Sequence, residues 1–454
     1  MTAQTELVPR KANIRITDLG RRFASDGFNL LQELQQNYGD LVQIAVMPGL
    51  SQWMIFSPEL AYDILVAHPE NYKKADLGRQ MMRDSFGNGL FFSEGDFWKR
   101  QRKLAQPAFH HVRINAYAQE MVDRTLTQSA GWQNSTLIDI DKAMHALTLT
   151  IVVNALFKTD ISGETDRIGA AMQTLGSALA QQTASVVSAF MPTWVPTPVN
   201  RRKKTAVNEL NEIIYRLIAE HRARPQDKGD LLSMFLAVRD DETGDQMSDL
   251  QIHDELMTMF IAGHETSAIA LAWALIELAR QPDIAARLTA DLDSVLGERT
   301  PTLEDLPKLP LLELVVKETL RLYPPAPFVV RQSLKPTSFG GKSVRKSDLI
   351  TLVTMQIQRD PRWLDNPLTF RPERFANGAE RALPKCVYMP FGAGPRVCIG
   401  NGFAMLEMQI VLATLLQRFS FELVTPTEDI RPKFGITLAF TSPVQMRVQP
   451  RNGQ

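Results

Sequence analysis

Residues 391–400, Phe-Gly-Ala-Gly-Pro-Arg-Val-Cys-Ile-Gly, set one cysteine, Cys398, among Gly392, Gly394 and Gly400, just ahead of an apolar helical pattern. Glycine permits positive φ and close approach of the backbone to a flat cofactor, and N–H groups at a helix start favour a thiolate. The segment therefore reads as a thiolate ligand for a metal. Cys386, in PKCVY, lacks such surroundings and reads as a small buried apolar side chain. A second reactive group is His264-Glu265-Thr266-Ser267, polar residues inside a stretch that is nearly apolar all round from Leu256 to Leu278. There a carboxylate can relay protons through water, and a hydroxyl can offer a hydrogen bond and widen the helix groove. A third is Glu318 with Arg321, three apart and so on one helical face, followed by RPERF at 371–375.

Elements must position these groups. The polar cluster falls on the best helix in the chain, which opens at Ser248 with Gln251 three residues on, a capping-box pattern, and stops at Gln281 before Pro282. Such a helix spans about 50 Å and, being apolar all round, is expected to be central and buried. Apolar positions three and four apart predict further helices near 59–67, 98–106, 113–130, 142–158, 165–189 and 201–218, and one from Gly402 to Phe419 directly after Cys398. Leu41 to Val46 and Gln52 to Phe56, around Met47-Pro48-Gly49, predict a hairpin. Short runs at Phe328 to Val330 and Ile350 to Thr354 predict a small sheet, and the prolines of 190–200 an exposed connection.

The 454 residues show no polar linker, so the chain reads as a single domain, 1–454, with an N-terminal segment of about 40 residues. Fifty basic and fifty acidic residues give a formal net charge of +0, which speaks against nucleic acid as the main partner. Two cysteines are too few for a disulfide framework or a four-cysteine zinc site. The N-terminus has no apolar run long enough for a signal peptide or a membrane span, and a cytoplasmic protein is expected.

Phe391, Gly392, Gly394, Arg396, Cys398 and Gly400 fit F-G-x-G-x-R-x-C-x-G, the haem-binding loop of the cytochrome P-450 family, and the chain resembles its bacterial-type soluble members. Six such matches arise by chance on the order of 10⁻⁸ per window. The resemblance implies a mainly α fold with small β-sheets, with haem b between the long helix and the helix of the cysteine loop. It implies that Cys398 is the axial thiolate, that Phe391 shields the sulfur, that Gly392 and Gly400 shape the loop, and that Arg396 reaches a haem propionate. Trp98 and Arg102 in WKRQR, and Arg331 after PAPF, are implied as further propionate donors. Glu318, Arg321 and Arg374 resemble the family's structural network, with Arg371 a close competitor for the third place. Ala262-Gly263-His264-Glu265-Thr266-Ser267 resembles the oxygen-activating motif, in which Glu265 and Thr266 are catalytic and Ala262 and Gly263 leave room beside the iron. Ser267 departs from the usual threonine. His264 is read as a groove residue, since a histidine ligand there would block oxygen.

The activity so implied is a monooxygenase that uses dioxygen and two electrons to hydroxylate a hydrophobic substrate. Met81, Met82, Phe86, Leu256, Phe260, Phe328, Val329 and Leu438 are the pocket positions the resemblance suggests, an apolar lining. WKRQRKLAQPAFH is similar to fatty-acid hydroxylases of the family, which puts a fatty acid first, with Arg79 or Arg83 for its carboxylate, and a terpenoid or steroid second. Without flavin or iron-sulfur motifs the chain needs a separate donor, a ferredoxin or flavodoxin with its reductase, for which Lys99, Arg100 and Lys103 form a basic docking patch. The alternatives are a peroxide-dependent haem-thiolate enzyme or isomerase, against which Glu265-Thr266 weighs, and a haem sensor without turnover.

Overall fold

Pro48-Gly49 turns the chain as its residues allow: in the computed structural model, which describes residues 10–12, 16–132, 135–158, 162–183, 195–224, 226–240 and 243–451, strands Leu41–Met47 and Leu50–Ile55 pair antiparallel across it. Leu41 lies opposite Ile55 and Val42 opposite Met54. The hairpin belongs to a six-stranded sheet in the order Arg10–Lys11, Leu41–Met47, Leu50–Ile55, Leu349–Leu352, Val329–Ser333, Tyr72–Lys73. By internal packing the chain divides into two compact units. One comprises Met1–Asp76, Leu314–Cys398 and Ile430–Ser442, the other Leu77–Glu313, Ile399–Asp429 and Pro443–Gln454. Each unit is assembled from three separate stretches, so no linker marks the crossings and the sequence carries no compositional boundary.

The first unit holds the six-stranded sheet. Trp53, fully buried, donates its Nε1–H to Asp348 Oδ2 at 3.0 Å, tying the hairpin to the strand Leu349–Leu352 that runs parallel beside it. The helix Ile16–Tyr38 packs Leu30, Leu31 and Leu34 into a cluster with Val42, Ile44, Phe56 and Leu438. It lies in the segment read from sequence only as N-terminal, and its backbone is non-helical at Asp26.

The second unit is mainly helical. Its long helix runs Asp249–Arg280, with the capping box in place: Ser248 Oγ accepts from Gln251 N–H at 3.2 Å, and Gln251 Oε1 from Ser248 N–H at 2.8 Å. Pro282 opens the next helix, Pro282–Leu296. Residues 252–260 and 267–278 are buried, and only the stretch 261–266 between them is partly open, with Ala262 exposed. Helix Ile140–Phe157 packs along it, and both are long and apolar enough to cross a membrane, yet mostly buried within the protein. Core residues from this pair join Leu210, Ile213 and Ile214 of Pro198–Ala223 in one apolar cluster.

Several boundaries differ from the sequence reading. The expected helix 59–67 becomes Pro58–Tyr62 followed by a π-helical turn, Asp63–Ala67. The expected 113–130 splits into His111–Asn115 and Ala118–Ser129. The expected 165–189 is Ser162–Thr183, its last residues lying outside the described ones, as do 190–194 of the proline-rich connection. Helix Asp76–Phe86 carries too few apolar residues to announce itself.

Candidate functional site

In the first unit the residues around Cys398 fold back on themselves. Cys398 N–H donates to the Phe391 carbonyl at 3.0 Å, Gly392 N–H to Met389 O at 3.0 Å, and Val397 N–H to Gly394 O at 3.0 Å. Gly392 and Gly394 adopt φ +75° and +70°. A Cβ on Gly394 would stand 1.8 Å from the Leu65 carbonyl oxygen, so the loop lies directly on the π-helical turn and no other residue fits. Gly400 corrects the sequence reading: it sits at φ −89° and caps helix Asn401–Arg418, so positive φ is not what it supplies. Cys398 is exposed, whereas Cys386 is buried and its thiol pushed up to about 11 by that burial. Of the two, Cys398 is the thiol fit to hold a metal.

Gln358, which no sequence pattern singles out, anchors the loop. Its Oε1 accepts from Met389 N–H at 2.9 Å, and its Nε2 donates to the Leu320 and Arg321 carbonyls at 3.1 and 3.0 Å. Beside it, Arg321 grips Glu318 bidentately, Nε to Oε2 at 2.7 Å and Nη2 to Oε1 at 2.8 Å, and spends Nη1 on the Gln358 and Pro367 carbonyls. The third member is Arg374, whose Nε donates to Glu318 Oε1 at 2.9 Å. Arg371 contributes only its backbone N–H to that oxygen, at 2.8 Å, while its side chain turns out to Asp365. Arg396 is half-buried on the turn Gly394–Arg396, and Arg331 half-buried in strand Val329–Ser333. Phe328 and Leu438 pack in one apolar cluster, and Val329 in another.

In the second unit Trp98 and Arg102 lie one turn apart on helix Gly95–Ala105, both half-buried. Arg100 does not serve as a free docking charge: its Nε is paired with buried Asp240 at 2.8 Å, and Lys99 pairs with Asp96. On the long helix, Thr266 Oγ1 donates to the Ala262 carbonyl at 2.7 Å, a bond to its own helix that the sequence reading did not name. Gly263 owes its size to packing, since a Cβ there would stand 2.9 Å from Val152 Cγ2 of the neighbouring helix. The His264 carbonyl accepts from Thr148 Oγ1 at 2.9 Å, and its ring meets His145 edge-on at 5.2 Å. Loss of hydration, and then the neighbouring His145, lower the His264 imidazole to about 3, so it stays neutral.

Glu407 is a residue the sequence reading passed over. It is the one charge in the apolar run of helix Asn401–Arg418 between Asn401 and Arg418, and that isolation is the signal that could have found it. Its carboxyl is fully buried with Ser267 the polar group facing it, and burial pushes it up to about 8. Met82, Phe86, Leu256 and Phe260 come together in one apolar cluster and are buried there; the Met81 side chain lies outside the described ones.

The donor chemistry suits a haem: one exposed thiol, presented by a loop that its own backbone bonds and two positive-φ glycines hold in shape. Comparison with known proteins agrees. Residues 16–446 match the family model described as Cytochrome P450. The chain is 34% identical over 419 residues to cyclooctatin synthase of Streptomyces melanosporofaciens, covering 91% of this chain and 89% of that one. It is 31% identical over 418 residues to pentalenene oxygenase of Streptomyces avermitilis, covering 91% of each. Its fold superposes on the crystal structure of the haem domain of cytochrome P450DA with a TM-score of 0.86, at 25% identity and 98% coverage of both chains.

Proposed function

The chain belongs to the cytochrome P450 family, haem-dependent monooxygenases with an axial cysteine thiolate, and from that premise we propose that it hydroxylates a cyclic terpenoid. Cys398 is the thiolate ligand, with Phe391 and Arg396 on the same loop and Trp98, Arg102 and Arg331 as propionate donors. When bound, the haem supplies activation of dioxygen and insertion of one oxygen atom into a C–H bond. The protein's part is to hold protons and exclude water. Thr266 keeps a hydroxyl in the open stretch of the long helix, bonded to Ala262 O, and Glu265 beside it carries protons to that hydroxyl.

The observation that carries the substrate class is the pairing of relatives named for cyclooctatin and pentalenene, both terpenoids, with the apolar cluster that Met82, Phe86, Leu256 and Phe260 share. An oily cyclic hydrocarbon is selected by burial there. A fatty acid, put first on sequence grounds, would have to rely on Arg79, half-buried on helix Asp76–Phe86, since Arg83 is solvent-exposed there, and neither of these two relatives is named for such a substrate. Electrons come from a separate ferredoxin or flavodoxin with its reductase.

The test is to record the absorption spectrum of the reduced protein with carbon monoxide. Cyclic terpene hydrocarbons and long-chain fatty acids are then screened for spin-state shifts and for products 16 Da heavier in the presence of a ferredoxin and its reductase. A thiolate-type spectrum and a hydroxylated terpene are expected. Fatty acids shifting the spin state while terpenes do not would overturn the substrate class. A thiolate-type spectrum surviving Cys398→Ser would overturn the ligand assignment.

A further inference from the structure

Three consecutive polar residues near the start of the long helix, His253, Asp254 and Glu255, are only 6, 9 and 1% exposed, between core residues Ile252 and Leu256. Burying such groups is costly unless they are hydrogen-bonded. Each is bonded, and the chain of bonds leaves the long helix in two directions. Asp254 Oδ2 accepts from Asn88 N–H at 2.7 Å, and Glu255 Oε2 from Leu90 N–H at 3.0 Å. Asp254 Oδ1 accepts from His253 Nδ1 at 3.0 Å, and His253 Nε2 meets Asn211 Oδ1 at 2.8 Å. The same ring stacks on Tyr215, centroids 4.6 Å apart and nearly parallel at 8°, so His253 is fixed to helix Pro198–Ala223 by two contacts.

The turn 87–90 is shaped for this seat. A Cβ on Gly87, at φ +74°, would stand 2.0 Å from Asp254 Oδ1, and one on Gly89 2.2 Å from the Asp254 carbonyl oxygen. Backbone therefore lies directly on helix, with no room for a side chain between. The turn joins Phe86, buried in the cluster with Leu256 and Phe260, to Phe91, which is 52% exposed between buried Leu90 and Phe92. Phe91 meets buried Phe92 edge-on, centroids 4.9 Å apart, and Phe92 stacks on Phe86 at 6.0 Å, so the place of this turn sets where the three rings stand.

We propose that His253, Asp254 and Glu255 are positioning residues for substrate selection: they clamp the turn 87–90 to the long helix and to helix Pro198–Ala223, and so fix where Phe86 and Phe91 meet an apolar substrate. This rests on the monooxygenase reading above in taking those rings to border the substrate. The holoprotein carrying Asp254→Ala, Asp254→Asn or His253→Gln is compared with the parent in two measurements. One is hydrogen-deuterium exchange of peptides covering 82–93. The other is titration of the haem absorption with a small imidazole, 4-phenylimidazole, and a bulky one, clotrimazole.

Loss of the carboxylate in Asp254→Ala speeds exchange at Asn88 by on the order of tenfold, the weight of one lost hydrogen bond. It also changes the ratio of the two dissociation constants by about tenfold, the scale on which a misplaced apolar contact discriminates. Asp254→Asn keeps an acceptor oxygen and retains most of the protection, and His253→Gln falls between. Unchanged exchange overturns the clamp; faster exchange with an unchanged ratio reduces it to a fold-only role and overturns the selection claim. If Asp254→Ala does not fold, Asp254→Asn and His253→Gln decide by the same readouts. Neither measurement needs turnover, so a wrong substrate class in the preceding section shows itself separately.

Discussion

Replacing Arg374 and Arg371 in turn tests the network around Glu318 where two candidates compete for one place. Arg374, with its side chain 4% exposed, gives Glu318 Oε1 a charge-assisted bond at 2.9 Å and donates to the Asp365, Asn366 and Thr369 carbonyls. Arg374→Ala removes all of these bonds but leaves Glu318 bidentate with Arg321; Asp365, Asn366 and Thr369 are exposed, so water can take up their carbonyls and the net loss is that of one to two charge-assisted bonds, about 2–3 kcal/mol. Arg371 pairs with Asp365 at 3.3 Å, side chains 43 and 73% exposed, and its bond to Glu318 is through the backbone. Arg371→Ala should therefore cost less than about 0.5 kcal/mol. Glu318→Ala strands two guanidinium groups, one of them fully buried, and should cost about 4–5 kcal/mol. Guanidinium titrations of the holoprotein, followed by haem absorption and circular dichroism, give the ranking. A double-mutant cycle between Glu318 and Arg374 should show coupling of about 2 kcal/mol, and between Glu318 and Arg371 almost none. Arg371→Ala matching Arg374→Ala, or vanishing Glu318–Arg374 coupling, would refute the assignment.

Three further outcomes are expected. Gly392→Ala meets a φ of +75° in open space and should cost about 1–2 kcal/mol, while Gly394→Ala adds the collision with Leu65 O and should abolish haem loading, read as carbon-monoxide difference absorbance per protein. Thr266→Ala should divert electrons to hydrogen peroxide, lowering product per NADPH by on the order of tenfold; undiminished coupling would remove the hydroxyl from the proton path. Glu407, pushed up to about 8 by burial, keeps its proton in the folded protein while the unfolded chain releases it from about pH 4.5 upward. The stability tied to that raised carboxyl is thus fully present below the unfolded value and is lost as pH rises toward 8. Melting curves from pH 5 to 8.5 should show Glu407→Gln gaining on the parent by about 1.4 kcal/mol per pH unit, and a pH-independent difference would show that Glu407 carries no such proton.

What was legible in sequence was whatever is encoded locally. The loop at 391–400, the capping box at Ser248 and Gln251, and the spacing of Glu318 and Arg321 are each written within ten residues, and each stands in the structure where it was read. What escaped depends on contacts between residues tens to hundreds of positions apart. Nothing around Gln358 says that its amide bridges Met389 to Arg321, and nothing in the cysteine loop names the Leu65 carbonyl as the surface that forbids a side chain at Gly394. The choice between Arg371 and Arg374 is the intermediate case: the residues are visible, but both are basic and three apart, and only the backbone path through the turn Pro372–Ala382 decides which side chain points at Glu318.

The long helix shows how polar residues in an apolar sequence can be read. A buried helix with no other duty is best left apolar, because each buried polar group loses its water and must find a partner. Asp249–Arg280 breaks that rule chiefly in two places. At 253–255 the polar side chains bond outward, to the turn 87–90 and toward Asn211, and hold neighbouring chain in place. At 261–266 the burial itself is interrupted and a hydroxyl bonds back to its own helix, and at the buried edge of that stretch the carboxyl of Glu407, which burial keeps protonated, faces Ser267. The first pattern suits the positioning role proposed for 253–255, and the second suits the proton path proposed for Glu265 and Thr266. Exchanging them, with the clamp exposed or the proton-handling stretch sealed in the core, would satisfy the same hydrophobic periodicity and defeat both functions.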